Sequence, residues 1–264
     1  MGAIVCITLK GILRDRVFQG IMVLAVLLLL VPAASTLSMR QVTELSMTLS
    51  LSLISFILLL LSVFLGSTSI WKDLERRYSY SVLSLPISRT SYLLGRFFGV
   101  ALFLVLISVI LGGLSCVAIS MASGLYPPDR PVIWSLFLLA VAYTTMKYIL
   151  VVAIALLLST VSTSFFLPIF GTICAFIAAG ITQQVYEYVH SAAAATKVTP
   201  FLKSAVSAAY YVLPNLAGFD LKVNAIYGIA PNTAGAALTA AYFCAYTAIL
   251  LACATLLFNR REMK

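Results

Sequence analysis

WKDLERRYSYSVLSLPISRTSYLLGR, residues 71–96, sets Lys72, Asp73, Glu75, Arg76, Arg77, Arg89 and Arg96 between two long apolar runs. The flanking runs, 49–70 and 97–121, contain no Asp, Glu, Lys or Arg. Each is long enough to cross a bilayer, which takes about 20 apolar residues. Charges pinned between two such runs predict a loop on one side of a membrane joining two spanning helices. The rest of the chain repeats that alternation.

Composition agrees. The chain is 62% hydrophobic and 9% charged, with a mean hydropathy of +1.09, whereas a soluble domain carries about 25% charge. This excludes an ordinary water-soluble globule. The net charge of +9 is not a nucleic-acid signature, because the basic residues adjoin apolar runs and build no separate basic domain with interleaved aromatics. Cys6, Cys116, Cys174, Cys244 and Cys253 show no CxxC or metal-type spacing and read as small packing residues.

Six spans are predicted, at 17–37, 49–70, 97–121, 132–158, 165–181 and 233–258. All are expected to be helices, because backbone polar groups in lipid must pair within the segment and no period-2 alternation marks a barrel. The first run follows Lys10, Arg14 and Arg16 and ends near Val31-Pro32-Ala33-Ala34-Ser35, which imitates a secretory signal. Its apolar stretch is long for a signal core, so a retained first span is the expectation.

Basic residues orient the bundle. With both termini cytoplasmic, the inner side holds Lys10, Arg14, Arg16, Lys72, Arg76, Arg77, Arg89, Arg96, Arg260, Arg261 and Lys264; the outer side holds only Arg40, Arg130, Lys197, Lys203 and Lys222. Location in a cytoplasmic (inner) membrane, multi-pass, follows. No internal repeat is visible, and the chain reads as one membrane domain over 1–264. Its largest non-spanning part, 182–232, is too long for a bare connection and is expected to hold short helices at the outer membrane face.

Two cytoplasmic elements stand out. In 71–89, Trp71, Leu74, Tyr78, Val82 and Leu85 recur at helical spacing opposite Lys72, Asp73, Glu75, Arg76 and Ser79. This predicts a short amphipathic helix with Asp73 and Glu75 in its first turns and Asp73 able to pair with Arg77, ended by Pro86. The same charges also suit a solvated loop that only satisfies topological sorting. In 1–16, Ile4, Val5, Leu9, Ile12 and Leu13 form an apolar stripe beside Lys10, Arg14 and Asp15, as in a helix lying along the inner face.

The detailed order within 73–97 carries more. Glu75, the Leu83-x-x-Pro86-Ile87-Ser88-Arg89 turn and the Gly95-Arg96-Phe97 entry into the next span resemble the coupling-helix region of ABC-2 type exporter permeases. The Gly-Thr usual after the acidic residue is replaced by Arg77-Tyr78-Ser79. The resemblance covers the whole chain: amphipathic N-terminal helix, six spans, a long outer segment before the last span, and a basic tail. Tyr211-Val212-Leu213-Pro214-Asn215-Leu216 with Phe219-Asp220 is similar to the outer segment of the branch that includes the nitrous oxide reductase maturation permease.

The resemblance implies an all-α membrane domain of the type V exporter class. It also implies a cytoplasmic ABC ATPase partner gripping Trp71, Asp73, Glu75, Arg76, Tyr78, Pro86 and Arg89, and a second permease copy, either identical or a paired homologue. ATP and Mg would belong to the ATPase, since this chain has no GxxxxGK[ST] and needs no cofactor of its own.

Inside the membrane, Lys147 lies midway along 132–158, where an ammonium costs roughly 2.5–3.5 kcal/mol. Tyr143, Thr144 and Lys147 share a helical face and form the candidate substrate pathway; a snorkelling or structurally bonded lysine is the alternative. Outside, His190 stands near Gln183, Gln184 and Glu187, and no Met-x-x-Met or Cys/His pairing joins it, so no metal site is expected. Tyr186, Tyr188, Tyr210, Tyr211 and Tyr227 suit an interfacial belt. An extracytoplasmic partner for this segment stays open. The last span is rich in small residues, fit for close packing within the subunit or between copies.

No HExxH, paired DxxD or Gly-x-Ser-x-Gly is present, so an enzyme is not expected. Two other classes compete with the permease: a secondary transporter built on Lys147, and a membrane scaffold or assembly factor for metalloenzyme maturation.

Overall fold

The computed structural model describes residues 2–28, 42–75, 88–125, 131–162, 164–191 and 199–260. Among them the chain is helical throughout, with no strand: α1 (Gly2–Leu13), α2 (Arg16–Leu28), α3 (Val42–Glu75), α4 (Arg89–Leu125), α5 (Trp134–Val161), α6 (Phe166–His190), α7 (Pro200–Val212), a 3-10 turn (Ala217–Phe219), α8 (Lys222–Tyr227) and α9 (Thr233–Arg260). Five of these, α3, α4, α5, α6 and α9, are long and apolar enough to cross a membrane. The predicted first span begins as α2, and its remainder lies outside the described residues.

α5 is the central helix. Leu150, Val151, Val152, Ala153, Ala155 and Leu156 are all fully buried, so this helix is apolar around its circumference because neighbours cover it on every side. α3 meets it closely at Gly66, where an added Cβ would come 2.6 Å from Ala155 Cβ. One turn further along α5, Ser159 Oγ donates to Ser67 O across the same contact at 2.9 Å. Other hydroxyls in the spans are satisfied inside their own helices: Thr68 donates to Phe64 O at 2.7 Å, Thr145 to Val141 O at 2.8 Å and Thr172 to Pro168 O at 2.6 Å; those of Ser46, Ser50, Ser115 and Thr247 are buried with no hydrogen-bond partner among the described residues.

α1 packs against the start of α4. Ile4, Thr8 and Ile12 are its buried stripe, whereas Leu13 is 55% exposed. The expected stripe is therefore rotated, because Gly95 and Gly99 of α4 open a groove that receives Ile4 and Thr8. The end of the bundle holding α1 is called the α1 face below, and the end holding α7 and α8 the α7 face.

Three expectations on boundaries are corrected. Residues 71–75 continue α3 without a break, so Trp71, Asp73 and Glu75 ride on the end of a spanning helix and do not open a separate one; nothing at 70–71 interrupts the backbone hydrogen bonding. The helix predicted to end at 181 runs to His190, since Gln183, Gln184 and Glu187 end the apolar composition but are good helix formers. The segment after it does not stay at the end of the bundle. Leu216 N donates to Ala179 O at 3.4 Å, and Ala179 lies about 16 Å down α6 from His190 at 1.5 Å per residue.

That descent is built locally. Thr199 Oγ1 accepts from Leu202 N and Pro200 takes the first helical position, which starts α7. Pro214 follows its end, and the chain runs extended into the 3-10 turn, with Leu216 and Phe219 fully buried. α8 closes at Gly228, whose φ of 66° is the left-handed conformation glycine adopts freely.

Candidate functional site

At the α1 face, the start of α4 and the end of α9 are joined. Arg89 Nη1 donates to Asn259 O at 3.2 Å, satisfying one of the carbonyls a helix end leaves open, and Asn259 Nδ2 reaches Thr90 Oγ1 at 3.5 Å. Beneath them Tyr92 stacks on Phe258 with ring centroids 6.3 Å apart. Arg96 lies over the Tyr92 ring at 5.5 Å and donates from Nε to its hydroxyl at 3.4 Å. Trp71, Asp73 and Glu75 end α3 on the same face. Arg76, Tyr78 and Pro86 lie outside the described residues.

In mid-bundle the three residues of the expected pathway part company. Tyr143 is buried and its hydroxyl donates to Ala236 O of α9 at 2.8 Å, a tie between two helices. Thr144 is buried as well. Lys147 is half-buried, and its Nζ stands 5.4 Å from the Phe176 ring centre and 5.7 Å from that of Tyr148. Those rings are stacked, with centroids 6.0 Å apart, and Tyr148 is pinned by a 2.6 Å hydrogen bond with Ser55 Oγ. Among the described residues no carboxylate or carbonyl bonds the ammonium. Asp220 and Lys222, beyond the 3-10 turn, are the charges that act on it.

Both α6 and α9 pack on α5 without forming a packed pair with one another. The linker 212–221 bridges them. Tyr246 Oη donates to Val212 O at 2.5 Å, Asn215 N donates to Tyr242 Oη at 3.0 Å, and Asn215 Nδ2 donates to Gln183 Oε1 at 2.9 Å. Lys147, Ala179 and Tyr246 all lie near the middle of their helices, about 20 Å from an end at 1.5 Å per residue. The linker therefore closes the α6–α9 gap at the depth of the lysine. Irregular backbone at membrane depth needs this kind of protein partner.

At the α7 face the expected aromatic belt is partly a stack: Tyr186 lies 4.3 Å from Tyr210 and 4.2 Å from His190, ring centre to ring centre. His190 Nδ1 is 2.9 Å from Tyr186 O, and among the described residues no three His, Cys, Asp or Glu side chains cluster. A cavity of about 210 Å³ opens between the first turns of α3, the start of α5 and α8, lined by Thr43, Glu44, Met47, Ile133, Ala225 and Gly228 among others. Oγ1 of Thr43 is buried at its wall with no hydrogen-bond partner among the described residues.

The family model for "ABC-2 family transporter protein" matches residues 3–263, nearly the whole chain. The chain belongs to the ABC-2 transporter family. It is thus a multi-pass membrane protein and a membrane component of an ABC transporter, and ABC-2 permeases generally work with an ATPase subunit. No curated protein matches the chain significantly. Sequence reasoning missed two features of this fold. Gly95-x-x-x-Gly99 could have been found from its small-xxx-small spacing, and the linker's depth could not.

Proposed function

We propose that the chain is the permease subunit of an ATP-driven exporter, with both termini and the α1 face in the cytoplasm and a separate ABC ATPase docking on that face. The match over residues 3–263 to the ABC-2 family is the observation that carries this reading. Support comes from the α1 face, where α1 packs on the start of α4 and the start of α4 is bonded to the end of α9, so that a force applied there reaches two spans at once. Basic residues also concentrate on that side. ATP and Mg act on the partner, and this subunit is not itself catalytic. A second permease copy completes the membrane unit. The run 211–220 favours the branch that includes the nitrous oxide reductase maturation permease. Lys147 faces the substrate pathway.

Affinity purification of the tagged full-length chain from its host in mild detergent tests this. Wild type should recover an ABC ATPase and ATP turnover, and Glu75→Arg should lose both while keeping its helical spectrum. Intact wild type with neither ATPase nor turnover would overturn the proposal in favour of a secondary transporter using Lys147.

A further inference from the structure

We infer that the turn between α1 and α2 binds the negatively charged headgroup of a membrane phospholipid, which Lys10, Arg14 and Arg16 draw into the depth of the bundle at the α1 face. The inference stands on the membrane fold alone and goes beyond the permease reading.

Depth is the starting point. Ile4 lies against Gly95 and Thr8 against Gly99, so α1 advances along α4 turn for turn and in the same direction. Just past the turn, Phe18 of α2 meets Phe103 of α4 edge to face, with ring centroids 5.0 Å apart. Phe103 stands inside the charge-free run that opens at 97, about 9 Å along it at 1.5 Å per residue. Arg14, Asp15 and Arg16, immediately before Phe18, are thus carried beside an apolar stretch of α4. Beyond Gly99 that face of α4 is uncovered: Leu102 and Leu106 continue the stripe of Gly95 and Gly99 at helical spacing and are 52% and 51% exposed.

The turn is basic. Lys10 and Arg14, one helical turn apart, and Arg16 are all exposed, and among the described residues none of the three side chains bonds a neighbour. Asp15, the one carboxylate there, is half-buried. Cations at such a depth are relieved by snorkelling and by headgroups drawn down to them through local thinning of the bilayer. The guanidinium fork matches a phosphate, which it can bond twice. Three cations against one carboxylate favour a headgroup with net negative charge over a zwitterionic one.

The surroundings choose the occupant. A soluble ATPase works outside the bilayer and stops short of the level of Phe103. A second copy has no acid to offer from its spans, because 17–37, 49–70, 97–121, 132–158, 165–181 and 233–258 contain no Asp or Glu. A free anion would leave the exposed apolar side chains around the turn uncovered, Ile7 and Leu13 of α1, Val23 and Leu24 of α2, and Leu102 and Leu106 of α4. A phospholipid meets both surfaces at once, with its phosphate on the cations and its acyl chains along the leucines.

The test titrates purified full-length protein in a neutral detergent with phosphatidylglycerol, phosphatidylcholine or inorganic phosphate, read by native mass spectrometry. Wild type should bind phosphatidylglycerol saturably and phosphatidylcholine more weakly, and inorganic phosphate should not compete. The double variant Arg14→Gln with Arg16→Gln should weaken phosphatidylglycerol binding about tenfold or more, the value of one lost charge-assisted hydrogen bond. Lysine at both positions should keep most of the binding, and Arg260→Gln, which removes an exposed cation at the end of α9 on the same face, should leave it unchanged. Equal binding by wild type and a helical, monodisperse double glutamine variant overturns the inference. So does an equal loss in Arg260→Gln, which would mark diffuse attraction to a basic surface, and so does competition by inorganic phosphate, which would mark a soluble anion. If the double glutamine variant keeps its lipid but loses a co-purifying ATPase or changes the number of chains per particle, the turn belongs to the ATPase or to a second copy instead.

Discussion

A methyl group added at Gly95 would stand 2.7 Å from Cγ2 of Ile4 and 2.9 Å from its Cβ, so α1 and α4 meet where only hydrogen fits. Gly99 repeats this one turn on, against Thr8 Cβ at 2.7 Å. Ile4 is branched at the atom in conflict and cannot swing away cheaply. Gly95→Ala should therefore lower stability by about 1–3 kcal/mol, the usual cost of overpacking, and should expose α1 to protease. Gly113→Ala on the same helix meets nothing within 4 Å and should be neutral or slightly stabilising through helix propensity. Thermal unfolding in detergent, with limited proteolysis of the N-terminus, compares the two.

Ser55 and Tyr148 share a partly buried 2.6 Å hydrogen bond between α3 and α5. Ser55→Ala and Tyr148→Phe should each cost about 1–3 kcal/mol, because each leaves a buried partner unsatisfied, and the double variant should cost less than their sum. A double-mutant cycle on unfolding free energy measures the difference. Strict additivity would mean that the two hydroxyls do not depend on one another.

The linker's anchors predict a local effect. Tyr242→Phe removes the acceptor for Asn215 N, and Tyr246→Phe removes the donor to Val212 O. Each should speed amide exchange across 212–219 by an amount matching about 1 kcal/mol, leaving exchange in α5 unchanged. Exchange rising equally throughout the bundle would show instead that these tyrosines hold the global fold.

Orientation can be read chemically. In a cysteine-free background, Lys10→Cys on α1 and His190→Cys at the end of α6 both replace exposed side chains, at opposite faces. A sulfonated maleimide should label residue 10 only in inside-out vesicles and residue 190 only in right-side-out ones. The reverse pattern would place both termini outside.

What the sequence made legible is what depends on local composition. Long apolar runs, charge-free but for Lys147 in α5, located α3, α4, α5, α6 and α9, because without the period-2 alternation of a barrel only a helix pairs the backbone of such a run in lipid. Its limits appear at Ile181 and Ile70. There the apolar composition stops, yet α6 continues to His190 and α3 to Glu75, since hydrogen bonding i to i−4 needs no hydrophobicity. The stripe of Tyr143, Thr144 and Lys147 was correctly placed on one helix, but spacing could not say that Tyr143 would spend its hydroxyl on Ala236, a residue of the last span. Nothing in Leu213-Pro214-Asn215-Leu216 announces its depth, because Ala179, Tyr242 and Tyr246, which set it, are distant in sequence.

α3 runs unbroken and without proline from Val42 to Glu75, about 50 Å at 1.5 Å per residue. Its close approach at Gly66 to Ala155 lies well off centre, about 14 Å from one end and 36 Å from the other on the same rise. A stiff beam resting on such a point has unequal arms. If it rocks there, a sideways displacement at Glu75 arrives at Thr43 and Glu44, on the wall of the cavity at the α7 face, enlarged by about two and a half times on that arm ratio and reversed in direction. On that condition the position of one glycine would give this helix a gear ratio.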